Sequence, residues 1–221
     1  MGHTEAAHGS MKRLLIVGSH EVVREGLKVI LNARLEITFG EANTASEALR
    51  LVREQEWDAV ILDVSLGERG ALDVPSKFKE VRPGLPILVL GTHSDPEYAR
   101  LLFKMGVSGY ATKDSPVAEL VTAVNKVIDG RRYISPALAE LIIGNLAPGS
   151  EKARHEALSA REYEVLMLIA SGKTIREIAE LLSQSKKTIS TYRARILEKM
   201  RMKTTAELIR YAIRNHIVDD G

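Results

Sequence analysis

The sequence contains no cysteine, which excludes a disulfide framework, a thiolate metal site and a thiol nucleophile. That absence suits a reducing compartment, and a cytoplasmic location is expected. No apolar run approaches the roughly 18 residues needed to span a bilayer, so no membrane partner is expected. The first ten residues are polar and carry no apolar stretch of the kind a secretory signal requires. Glycine-rich phosphate loops are absent, since neither Gly-x-x-x-x-Gly-Lys nor Gly-x-Gly-x-x-Gly occurs. The six histidines are scattered without metal-ligand spacing, and no metal, cofactor or enzymatic activity is expected.

What remains is an ordinary globular composition, 45% hydrophobic and 27% charged over 221 residues, enough for one large or two small domains. Residues 1–10, ahead of a second methionine at Met11, read as an appended leader outside the fold. The formal charge of +2 is unevenly shared: residues 151–221 carry a net +4 and residues 1–150 a net −2. The C-terminal part is therefore the better match for a polyanion.

Residues 11–130 alternate between two patterns. Leu14-Leu-Ile-Val17, Ala59-Val-Ile-Leu-Asp63 and Pro86-Ile-Leu-Val-Leu90 are short apolar runs, as in strands buried on both faces. A weak strand is expected near Glu36 to Phe39, and a short one at Gly109-Tyr-Ala-Thr112. Between them lie helical spacings: Val23, Leu27, Ile30 and Leu31; a helix opened by the capping box Thr44-Ala-Ser-Glu47; one from about Asp95 to Met105; one started by Ser115-Pro116. Such alternation predicts an α/β doubly wound parallel sheet of five strands. Trp57, just before a buried strand, is expected to pack. Ser135-Pro136 starts a connecting helix, and Ala147 to Glu156 is polar and aperiodic, so residues 131–157 read as connecting helix and linker.

Residues 158–221 show only helices. Ser159-Ala-Arg-Glu162, Thr174-Ile-Arg-Glu177 and Thr204-Thr-Ala-Glu207 are capping boxes, and Gly172 is placed to end the first helix. Two short helices joined by Ser183-Gln184-Ser185 have the dimensions of a helix-turn-helix, the second starting at Ser185 or Thr188. Lys186, Lys187, Thr188, Ser190, Thr191, Arg193, Arg195 and Lys199 lie on or just before that second helix, opposed only by Glu198. Cationic and hydroxyl side chains on such a helix suit phosphate and base-edge contacts in a major groove.

The words Leu158-Ser-Ala-Arg-Glu-Tyr-Glu-Val-Leu166, Gly172-Lys-Thr-Ile-Arg-Glu-Ile-Ala-Glu-Leu-Leu182 and Ser185-Lys-Lys-Thr-Ile-Ser-Thr-Tyr-Arg-Ala-Arg-Ile-Leu-Glu-Lys-Met200 resemble the LuxR-type four-helix DNA-binding domain. The resemblance implies that the helix from about Thr188 to Met200 reads the groove of double-stranded DNA. It also implies that Leu208, Ile209 and Ala212 on the last helix pair two copies on a two-fold site. The family often carries a basic residue where this chain has Ala194, which shifts base reading toward Lys187, Ser190 and Thr191. Leu15-Ile-Val-Gly-Ser-His-Glu-Val-Val-Arg-Glu-Gly-Leu27, Asp58-Ala-Val-Ile-Leu-Asp-Val-Ser-Leu66 and Gly109-Tyr-Ala-Thr-Lys-Asp-Ser115 resemble the receiver of NarL/FixJ-type response regulators.

For a receiver, the resemblance implies an acidic pair that holds magnesium, a phosphoryl-accepting aspartate, a hydroxyl, a lysine and a switch aromatic. Asp63 matches the aspartate, Lys113 the lysine and Tyr110 the aromatic. The acidic pair is replaced by Gly18-Ser19, and the hydroxyl position falls on Gly91, with Thr92 one residue late and directed elsewhere by strand alternation. His20 and Glu21 are the nearest candidates for a replacement ligand. The expectation is a homodimeric DNA-binding regulator with an atypical receiver, in which Asp63 and Lys113 form a structural ion pair. One alternative is a phosphorylation-switched two-component regulator served by a sensor kinase. The other is an interaction protein that pairs with and modulates a related regulator.

Overall fold

The computed structural model describes residues 11–64, 73–91, 96–145, 154–215 and 217–218. Five apolar segments form the parallel strands β1 (Lys12–Val17), β2 (Ile37–Ala42), β3 (Ala59–Asp63), β4 (Ile87–Gly91) and β5 (Gly109–Thr112). Helices α1 (Glu21–Asn32), α2 (Ala45–Glu54), α3 (Asp73–Val81), α4 (Pro96–Lys104) and α5 (Val117–Ile128) connect them. The sheet runs β2-β1-β3-β4-β5, and Tyr133–Ile134 add a sixth parallel strand, β6, beside β5. The five-strand expectation is corrected accordingly, and the boundary expected at residue 130 falls inside the sheet. A two-residue strand has no periodicity to read; its partner makes it a strand.

The pleat explains why the central strands are apolar throughout. Leu15, Val17, Val60, Leu62, Ile87, Val89 and Tyr110 point to the face covered by α2, α3 and α4. Leu14, Ile16, Ala59, Ile61, Leu88, Leu90 and Ala111 point to the face covered by α1 and α5. β2 is the exception, and its weak pattern has a cause. Gly40 interrupts it because the Trp57 ring lies there: a Cβ built at Gly40 would sit 2.1 Å from Trp57 Cη2. Trp57 packs as expected, and its indole N–H donates to the Leu51 carbonyl at 3.0 Å.

α6 (Pro136–Asn145) packs on α4. A 3₁₀ turn (Arg154–Ala157) then leads into the helical domain of α7 (Ala160–Ala170), α8 (Ile175–Leu181), α9 (Lys186–Lys199) and α10 (Thr205–Arg214). The boxes at Ser159/Glu162 and Thr174/Glu177 are complete in both directions. Thr204 caps Glu207, but the Glu207 carboxylate turns back to the Lys203 amide. Gly172 ends α7 at φ +80°, and Ser185 rather than Thr188 caps α9. α7 is the hub of this domain, with α8, α9 and α10 all packed on it, and α4 of the α/β domain also touches it.

Gly40→Ala is expected to destabilise the α/β domain by about 1–3 kcal/mol, the usual cost of forcing extra volume into a filled core. Gly84→Ala, whose new Cβ meets nothing within 4 Å, is the matched control. Urea unfolding of the two variants distinguishes a local clash from a general glycine effect.

Candidate functional site

Asp63 closes β3 at the C-terminal edge of the sheet, where parallel strands leave a crevice between the connections. Its side chain is fully buried, and Lys113 Nζ, just past β5, stands 2.6 Å from Oδ1. The contact is an ion pair of close approach. Among the described residues neither Asp63 oxygen accepts a hydrogen bond of acceptable geometry. A buried carboxylate with so little compensation leans heavily on its one cation.

The positions around this pair are filled. A Cβ at Gly18 would lie 2.8 Å from Asp63 Cβ and 3.2 Å from Oδ2. Arg24 Nη1 donates to the Gly18 carbonyl at 2.7 Å, while its Nε pairs with Glu41 at 3.0 Å. The corner where a receiver keeps its acids thus presents a backbone carbonyl engaged by a guanidinium. Ser19 and His20 contact each other at 3.3 Å, and they and Glu21 are exposed. No three His, Cys, Asp or Glu side chains converge as metal ligands among the described residues. Magnesium, a hard ion that wants carboxylate oxygens, does not fit this donor set.

Tyr110 is wholly buried, and its hydroxyl lies over Gly91: a Cβ there would be 2.1 Å from the phenolic oxygen. Its ring meets Tyr98 of α4 edge-on at 6.3 Å between centroids. The position expected to carry a hydroxyl side chain is therefore occupied by the tyrosine itself. Thr92 lies outside the described residues.

In the helical domain, Lys186, Lys187, Ser190, Thr191, Ala194 and Arg195 are exposed along α9. Thr188 is half-buried, its amide capped by Ser185 at 3.0 Å, and Thr191 bonds back to the Lys187 carbonyl. Arg193 is directed sideways, donating from Nε to Thr205 Oγ1 at 2.8 Å. Lys199 reaches Glu162 on α7 at 2.6 Å. Of the three α10 residues expected to pair two copies, Leu208 and Ala212 are completely buried in the domain's own core, and Ile209 keeps part of its side chain exposed. A domain this small draws on that apolar stripe for its own core.

His155, expected in a polar linker, is instead buried between Tyr163 and Tyr211, and shares a 2.9 Å hydrogen bond with the Tyr211 hydroxyl. Nothing in the local sequence signals this, because the enclosure is completed by Tyr211, 56 positions along the chain. Burial holds its pKa below 6.5 and Arg100 adds to that, while Glu97 and Glu156 pull the other way. Burial would raise the Glu162 carboxyl, but Lys199 and the Ser159 cap outweigh it and hold it low.

The geometry describes a receiver-like crevice on a doubly wound sheet, joined to a helix-turn-helix domain. Residues 14–125 match the response regulator receiver domain, and residues 156–212 match the bacterial regulatory proteins of the luxR family. The chain belongs to the response regulators that carry a LuxR-type DNA-binding domain. It is 32% identical to the response regulator GacA of Pseudomonas aeruginosa over 212 residues, covering 95% of this chain and 99% of that protein. It is 30% identical to the response regulator UvrY of Escherichia coli K12, covering 93% and 95% respectively. Among solved structures, a LuxR-family two-component response regulator from Aurantimonas sp. SI85-9A1 matches at 34% identity with a TM-score of 0.58, covering 62% of this chain and 99% of that one. RcsB of Salmonella enterica serovar Typhimurium, solved bound to the promoter rprA with phosphomimetic BeF3-, shares the fold at 22% identity and a TM-score of 0.67, over 91% of this chain and 98% of that one.

Two outcomes are expected. Lys113→Met, which strands the buried Asp63 charge, should cost about 3–5 kcal/mol in urea unfolding, and adding Asp63→Asn should recover part of it. Because the folded pKa of His155 lies below 6.5, its contribution is intact above that pH and is lost as pH falls from 6.5 through the folded value. Thermal melting of the protein should therefore fall across this window, and His155→Phe should flatten that part of the profile.

Proposed function

We propose that this protein is a DNA-binding transcription regulator whose receiver works without ordinary magnesium-dependent phosphorylation of Asp63. One observation carries the reading. The acidic corner is replaced by Gly18, packed so closely on Asp63 that a side chain there would collide with it. Charge building on a transferring phosphoryl group needs a cation bridging its oxygens, and among the described residues position 18 adds no carboxylate to Asp63 to hold one. The fixed Asp63–Lys113 pair and the inward Tyr110 keep the crevice in one arrangement with no phosphate involved.

The DNA-binding half of the reading rests on α9. Lys186, Lys187, Ser190, Thr191 and Arg195 are exposed in the full chain, so the α/β domain does not cover them. The N-terminal turn of the helix would enter the major groove, with cations on phosphates and hydroxyls at base edges. The partner is double-stranded DNA, and a homodimer on a two-fold site fits the way helix-turn-helix dimers match half-sites. Residues 11–134 would form the receiver, and residues 154–218 the DNA-binding domain. No helix of the described residues is long and apolar enough to cross a membrane.

Incubation with acetyl phosphate and magnesium, followed by intact-mass measurement, should leave the protein unmodified. Asp63→Asn should bind DNA with the affinity of the unsubstituted protein. Stoichiometric phosphorylation of Asp63, accompanied by a gain in DNA affinity, would return the protein to the phosphorylation-switched class.

A further inference from the structure

α9 is about 21 Å long, at 1.5 Å per residue, and its two halves are held differently. The N-terminal half displays Lys186, Lys187, Ser190 and Thr191 to solvent. The C-terminal half is tied to its surroundings at three points. Arg193 bonds to Thr205 at the start of α10, Lys199 pairs with Glu162 at the start of α7, and Arg154 Nη1 reaches the Met200 carbonyl at 3.5 Å.

The Lys199 contact differs in kind from a surface ion pair. The Glu162 side chain is only 4% exposed, and the same oxygen, Oε2, accepts the Ser159 amide at 2.8 Å and the Lys199 ammonium at 2.6 Å. Transferring that ammonium to a DNA phosphate would leave a buried carboxylate with its cap bond alone, a costly state for an anion. Exposure at the Lys199 end, 41%, puts the ammonium within reach of solvent without freeing it from Glu162.

We infer that Lys199 is a positioning residue, which fixes the tilt of α9 by anchoring its C-terminal end to Glu162 on α7, and that it makes no phosphate contact. This rests on the DNA-binding reading and divides the basic residues of α9 into two sets. Lys186 and Lys187 face the polyanion. Lys199, though 41% exposed, is held to Glu162 and sets the angle at which they arrive.

The test uses the full chain and a duplex selected by the unsubstituted protein from a random-sequence pool, with affinity followed by anisotropy over a series of salt concentrations. Each phosphate contact contributes about 0.9 to the slope of log affinity against log salt. Lys187→Met should lower that slope by about 0.9. Lys199→Met should weaken binding at every salt concentration with the slope unchanged, at a temperature well below its melting point, and Lys199→Arg should restore the affinity. In urea, Glu162→Gln and Lys199→Met should each lower the unfolding midpoint, and the double variant should fall no further than the worse single one. A loss of slope at Lys199 equal to that at Lys187, or additive urea effects, would overturn the positioning role alone. Absence of salt-dependent binding by the unsubstituted protein would overturn the DNA-binding reading and the positioning role with it.

Discussion

A carboxylate with no exposed side-chain surface at the end of β3 governs the α/β domain. Burying Asp63 is expensive, and among the described residues Lys113 is the cation that pairs with it to offset the cost. The surroundings then close around that pair. Gly18 is needed because β1 ends against the Asp63 side chain, and Arg24 engages the Gly18 carbonyl. Gly91 is needed because Tyr110 lies over it. The charge pair is embedded in a packing arrangement, with the Gly18 backbone set directly against the carboxylate.

The second domain is organised by a smaller device of the same type. Glu162 begins as a helix cap, but its burial extends its reach to Lys199 and so to the far end of α9. Helix caps are usually local matters. This one couples the N-terminus of α7 to the orientation of the helix that presents Lys186 and Lys187.

The features legible in the sequence were local ones. Apolar runs such as Leu14 to Val17 and boxes such as Thr174 to Glu177 specify their elements within a few residues, and the family words fixed both domain types. What escaped depends on contacts distant in the chain. β6 is a strand only because β5 lies beside it. The apolar stripe of α10 carries no mark saying whether it faces its own core or a second copy, and Leu208 and Ala212 face the core. His155 sits in a polar stretch, yet Tyr163 and Tyr211 enclose it. Lys199 counted as one more basic residue on a basic helix until a carboxylate 37 positions away claimed it. The crevice was readable as a set of departures, but only the packing at Gly18 and Gly91 explains why those departures hold together.

That packing bears on the substitutions open to the domain. An acid at position 18 would press on Asp63, and a serine at position 91 would press on the hydroxyl of Tyr110. Each such substitution is therefore penalised until its neighbour has moved. New side chains at these two positions come only with paired changes, so positions 18 and 91 are locked to glycine by Asp63 and Tyr110 and not by their own backbone angles.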